Sequence, residues 1–153
     1  MAFAEGTTVS SEKSRLEIEA LVCRYAGRDA EFSSGRIAGQ AAVMFVAKGR
    51  RVRFTIPMPT NEEAAKAAKR KGSWRDATGA QKAAWIEQET RRRWRCLLLA
   101  IKAKLEVVES GISSFDEEFL AHVVTESGQT IYERILLAAD NGQRLLPAIE
   151  ERR

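Results

Sequence analysis

The hydrophobic positions of this chain change period twice. Ile18, Leu21, Val22 and Tyr25 recur at helical spacing, Ser10 or Ser11 can cap the run, and Gly27 stops it, which predicts a helix over about residues 11–26. Ser14 with Glu17 offers a capping box one turn later. Period two then takes over. Residues 30–34 read as a short strand. Gln40–Ala47 is denser, with Val43, Phe45 and Ala47 on one face and Ala42, Met44 and Val46 on the other. Lys48-Gly49 marks a tight turn. In residues 51–56, Val52, Phe54 and Ile56 point one way and Arg51, Arg53 and Thr55 the other, a hairpin signal closed by Pro57 and Pro59.

Residues 60–78 read as a basic mobile loop, with a helical turn or two after Asn61 and a break at Gly72. Helical spacing returns after Thr78, a cap for a long helix over Gly79–Glu109 that Gly111 closes. Such a helix spans about 45 Å at ~1.5 Å per residue. Trp94, Leu98, Ile101, Leu105 and Val108 form its apolar stripe. Trp85, Gln88, Arg92, Arg95, Leu99 and Lys102 fall on the opposite side. Ser114 caps a short acidic helix over residues 115–123, and Thr130 with Glu133 caps another to about residue 139. The order predicts a single α+β domain over residues 1–153. Its centre is a three-stranded antiparallel meander in α-β-β-β-α order, with the long helix on one face and small helices at the C-terminal end.

Charge changes the picture more than composition does. The net charge is only +4, yet residues 48–104 hold sixteen Lys/Arg against five Asp/Glu, and residues 105–153 hold four against ten. A basic middle beside an acidic end is the footprint of a polyanion-binding surface, and Trp74, Trp85 and Trp94 all lie in the basic part. The N-terminal residues carry neither a basic nor an apolar block, so no signal peptide is expected there, and no run approaches the ~20 apolar residues of a membrane span. Cys23 and Cys96 make no spaced motif and read as reduced core thiols, which points to the cytoplasm.

Two rows of cations are candidate phosphate ligands: Arg50, Arg51 and Arg53 at the third strand, and Arg92, Arg95 and Lys102 on the long helix. Lys66, Lys69, Arg70, Lys71 and Arg75 surround Trp74 in the expected loop, where the indole is the best candidate for stacking on a base. Trp94 belongs to the core stripe. Trp85 and Leu99 interrupt the polar side of the long helix and mark a self-association surface, with Asp116, Glu117 and Glu118 as the opposing acidic patch. The first half of that helix, to about Thr90, has too few apolar residues for the core alone to hold it, so a neighbouring subunit is expected over it. His122 is the only histidine. It stands four residues after Glu118, a spacing able to share a metal, but it reads as a helix-terminal histidine near acids. No catalytic residues, cofactor or metal are expected: no histidine lies near Ser113 or Ser114 in sequence, and no glycine-rich phosphate loop exists.

Two segments, GRRVRFTIPMP at residues 49–59 and RWRCLLLAIKAKLEVVESGISSFDEEFLAHVV at residues 93–124, resemble a family of small bacteriophage and prophage proteins, in order across about residues 7–135. The resemblance implies a phage setting and no particular activity. By topology the basic meander with its long helix also resembles phage single-strand annealing proteins of the Redβ, RecT and ERF type. That likeness implies rings or filaments holding DNA along a basic groove without metal or nucleotide. A double-stranded-RNA-binding domain shares the element order, but Gly79-Ala80-Gln81-Lys82 lacks that family's lysine motif. The expectation is therefore a non-enzymatic, homo-oligomeric protein that binds single-stranded DNA. The alternative is a protein-binding phage effector that inhibits a host defence or replication protein.

Overall fold

The computed structural model describes residues 4–70 and 77–142, the side chains of Asp29 and Arg70 excepted. Helix α1 (Ser11–Ala26) starts where Ser10 accepts a hydrogen bond from the Lys13 amide at 3.1 Å and stops at Gly27 (φ 67°). A 3₁₀ turn (Gly27–Asp29) leads into β1 (Glu31–Ile37), β2 (Gln40–Ala47) and β3 (Arg50–Ile56). They form one antiparallel sheet in the order β1-β2-β3, with Phe32 opposite Phe45 and Phe45 opposite Val52. Both connections are two-residue turns. Ala38-Gly39 and Lys48-Gly49 all have positive φ, the geometry that matches the twist of a hairpin, although Ala38 and Lys48 must adopt it with a Cβ. β1 runs to Ile37, past its apolar pattern, because Gly35 and Arg36 are held by pairing with Ala42 and Ala41 rather than by side-chain burial.

The helices cover one sheet face. Ile18 and Val22 of α1, Val43 and Phe45 of β2, and Val52, Phe54 and Ile56 of β3 meet the stripe Trp94, Leu98, Ile101 and Leu105 of α3 (Gly79–Glu109) in a single core. Thr78 and Gln81 close a reciprocal capping box at the start of α3. Ser14 is no cap. It lies fully buried inside α1, and its hydroxyl has no hydrogen-bond partner.

Three expectations need correcting. Residues 61–70 are not a loop with a turn or two but a ten-residue helix, α2 (Asn61–Arg70). Thr60 and Glu63 cap it reciprocally, at 2.8 and 3.2 Å, and its alanines are strong helix formers. The rest of the expected loop, residues 71–76, lies outside the described residues. Second, α2 packs on the first half of α3 and buries Ala64, so the chain itself covers much of the segment for which a second subunit was expected. Third, Cys23 and Cys96 are exposed: each sits beside its helix's buried stripe rather than on it.

The C-terminal part turns back onto the sheet. α4 (Phe115–Phe119) is shorter than expected and tightens into a 3₁₀ turn (Leu120–His122). Val123 then bridges Val52, and the Val124 amide donates to the Arg51 carbonyl at 2.8 Å, closing part of the outer edge of β3. Thr130 bridges Val124 and caps α5 (Ile131–Asp140). The return is anchored by Phe119, fully buried, edge-on to Phe45 and Phe54 with centroids 6.0 and 6.3 Å away and stacked on Phe115 at 4.5 Å. Among the described residues no helix is long and apolar enough to cross a membrane.

Candidate functional site

Four of the side chains expected to hold phosphate, Arg50, Arg53, Arg92 and Arg95, are already holding carboxylate. At the β2–β3 turn, Arg50 makes a two-pronged pair with Asp116, Nε to Oδ1 at 3.0 Å and Nη2 to Oδ2 at 3.1 Å. The guanidinium keeps the Asp116 carboxyl below its usual range. Arg53 projects from the sheet face away from the helices, as alternation requires, but it is not wet. Its side chain is 11% exposed, with Nη2 donating to Glu133 at 2.6 Å and Nη1 to the Gly128 carbonyl at 2.8 Å. Its Nε is buried without a partner. The acids that meet this strand come from the returning C-terminal segment. Glu133 is held below its usual range first by the Thr130 amide and then by Arg53. Arg51 stays exposed, with no ion pair among the described residues.

On α3 the same thing happens within the helical layer. Arg91 pairs with Glu87, Arg92 with Glu89 at 2.7 Å from Nε, and Arg95 with Glu17 of α1 at 2.9 Å. Arg93 reaches Glu89, Glu63 and the Pro57 carbonyl, pinning α2 and the end of β3 to α3. Arg92 and then Arg93 hold the Glu89 carboxyl low. Arg92 and Arg95 thus lie on the helical side of the sheet and Arg51 and Arg53 on the other, so the two rows do not line one groove. Lys66, Lys69 and Lys102 are exposed. Lys71, Trp74 and Arg75, with the side chain of Arg70, lie outside the described residues.

The acidic residues expected at an assembly surface are also occupied internally. Asp116 binds Arg50, Glu117 caps α4 through Ser114, and Glu118 accepts from Lys104, whose Nζ lies 2.7 Å from the Glu118 carbonyl oxygen. Trp85 lines a cleft of about 500 Å³ with Ala64, Ala67 and Ala68 of α2. Leu99, one turn on from Arg95, is half-buried on the flank nearest α1. Sequence reasoning could not place Arg50–Asp116 and Arg53–Glu133, separated by 66 and 80 residues, but it also missed Arg92–Glu89, three apart on one helix and legible from spacing.

What the fold leaves open is the sheet. The face away from the core carries the half-buried Met44 and Val46 and the buried Ala42 beside Ser33, Gly35 and the exposed Ile37. Two clefts of about 190 and 180 Å³ run along it and meet at Ser33 and Met44. The outer edge of β1 is unpaired among the described residues. Sequence reasoning missed this edge, although Ser33-Ser34-Gly35 is a run too polar and too small for a buried strand. No protein-family model, curated protein or solved structure matches this chain.

His122 is not near a metal site. Its ring stacks on Phe54 with centroids 4.0 Å apart, Glu118 is turned to Lys104, and among the described residues no three His, Cys, Asp or Glu gather to hold a metal. Burial, and then Lys104, pushes the His122 pKa below the ordinary 6.5.

Two predictions follow from these contacts. A double-mutant cycle on Arg53→Ala and Glu133→Ala in urea unfolding is expected to give a coupling on the order of 1 kcal/mol, reduced from that of a buried pair because Glu133 is 41% exposed. A coupling of zero contradicts the clasp. Because the folded pKa of His122 lies below its unfolded value, its contribution is intact above the unfolded pKa. It erodes as pH falls below the ordinary imidazole pKa of 6.5 and through the lowered folded value. His122→Phe, which keeps the ring, is expected to flatten the stability profile in that window. An unchanged slope sinks the assignment.

Proposed function

We propose that this protein is a non-enzymatic binding module that recognises another polypeptide through its sheet, of the effector kind that the phage resemblance suggests, acting in the host cytoplasm. One observation carries the reading. The guanidinium groups of Arg50, Arg53, Arg92, Arg93 and Arg95 are committed to the protein's own carboxylates, so the arginines best placed to bind phosphate already have partners within the fold. A nucleic-acid complex would have to exchange those partners for phosphate, at Arg53 from a nearly buried position. The sheet, by contrast, keeps an apolar strip and an unsatisfied edge, the features that bind polypeptide.

A second reading, single-strand DNA binding and annealing by a homo-oligomer, draws its support from Arg51, Lys66, Lys69 and Lys102, exposed cations without an ion pair among the described residues. Fluorescence anisotropy of a labelled single-stranded oligonucleotide separates the two. The protein-binding reading expects only weak association at low salt, lost by physiological ionic strength. Tight binding whose logarithm falls with log salt at a slope of roughly −3 or steeper, the release of about four or more counterions, would transfer the assignment to nucleic acid.

A further inference from the structure

We infer that the outer edge of β1 is a docking site for an extended polypeptide segment of mixed charge, with two adjacent basic residues at the end beside Glu31 and an acidic residue beside Arg36. The inference deepens the protein-binding reading and rests on it.

The hydrogen-bonding groups come first. The two-residue turn Ala38-Gly39 makes Ile37 and Gln40 the pair that exchanges both backbone bonds. Counting back by twos, Ile37, Gly35, Ser33 and Glu31 face β2, and the N–H and C=O groups of Phe32, Ser34 and Arg36 face outward. Proteins usually blunt such a row with proline, a bulge or brevity. β1 has none of these. It is seven residues long, pairs one-to-one with β2 throughout and contains no proline. The opposite edge of the sheet, on β3, is covered in part, at Arg51 and Val52, by Val123 and Val124, whereas the β1 edge has no such cover among the described residues.

Charge then selects the occupant. Arg15 of α1 donates to the Ser34 hydroxyl at 3.2 Å, which places that flank of α1 above the middle of the edge. Glu12 is gripped by two guanidinium nitrogens of Arg15, whereas Glu19 lies 3.9 Å from the same group and keeps surplus negative charge. Because α1 runs through Gly27–Asp29 straight into β1, Glu19 lies toward the Glu31 end. Glu31 points to the other side of the sheet. A strand added here therefore meets one carboxylate on each face at that end, and consecutive side chains of a strand point to opposite faces. Two adjacent Lys or Arg satisfy both. At the far end Arg36 is exposed with no ion pair among the described residues, and an Asp or Glu complements it.

A second copy of this chain fits worse. Pairing β1 with itself antiparallel about Ser34 sets Arg36 at the mate's Glu31 end, but it supplies one cation there where two carboxylates wait, and it brings Arg15 toward its symmetry mate.

The test is selection from a random-peptide display library on the full chain, followed by hydrogen exchange of the complex. Enriched peptides are expected to be β-prone, with adjacent Lys or Arg and an Asp or Glu about four positions away. They should slow exchange at the Ser34 and Arg36 amides. Ser34→Pro removes an outward-facing N–H along with the hydroxyl that accepts from Arg15, and should weaken binding at least tenfold, while Ser34→Ala, which loses only the hydroxyl, and Trp85→Ala leave it unchanged. The Glu31→Lys/Arg36→Glu variant should select the opposite charge order, and it decides the matter if the proline variant loses stability. Peptides that bind but are indifferent to both changes overturn the edge site and leave the protein-binding reading standing. No enrichment, together with tight oligonucleotide binding, overturns both. A dimer in sedimentation that Ser34→Pro dissolves assigns the edge to a second copy and overturns the inference about the partner.

Discussion

The structure depends on the return of its C-terminal segment to the sheet. Phe119 enters the gap between Phe45 and Phe54 and is fully buried, with Phe115 stacked behind it. That burial places Asp116 over Arg50, Val123 against Val52, and Glu133 on Arg53. The aromatic contact supplies most of the free energy, since the ion pairs at the surface contribute little by themselves. The pairs do something different: a misplaced segment would leave Arg53 nearly buried without a counter-charge, which is costly. Hydrophobic burial holds the segment down and charge fixes where it lies.

The same return explains why the two ends of the charge distribution misled. A basic middle and an acidic end look, along the chain, like a surface for an outside polyanion or for a neighbouring copy. In three dimensions the two are joined at Arg50–Asp116, Arg53–Glu133 and Lys104–Glu118, within one chain. Cross-strand and i,i+4 rules could not find these pairs because each joins two separate elements. Local physics reached much of the fold. The capped α3, the alternating β2 and β3, and Trp94 on the core stripe were all legible, because each is set by spacing and by neighbours within a turn or two. α2 was misjudged for a local reason as well: its lysines and the following Gly72 outweighed a Thr60–Glu63 capping box that was present in the sequence.

A functional surface emerges from what the return leaves undone. It closes part of the edge of β3 and occupies Arg53, but it does not reach β1. The small, polar Ser33-Ser34-Gly35 run, which made β1 hard to recognise, also keeps its edge accessible and its outer face shallow. The weak strand signal and the proposed docking edge thus share one origin: a strand held by its neighbour's backbone rather than by its own side chains.

The central claim is that the returning segment and the sheet form one cooperative unit. Native-state hydrogen exchange tests it directly. The Val124 amide, bonded to the Arg51 carbonyl, and the Ile131 amide, bonded to the Val123 carbonyl at 3.0 Å, report the return. Amides of Val43 and Phe45 report the central strand. If the account holds, all four exchange only through global unfolding, with the same free energy and the same denaturant dependence. Exchange of Val124 and Ile131 through a separate low-energy opening, while Val43 and Phe45 stay protected, would show that the segment is an appendage and contradict the account.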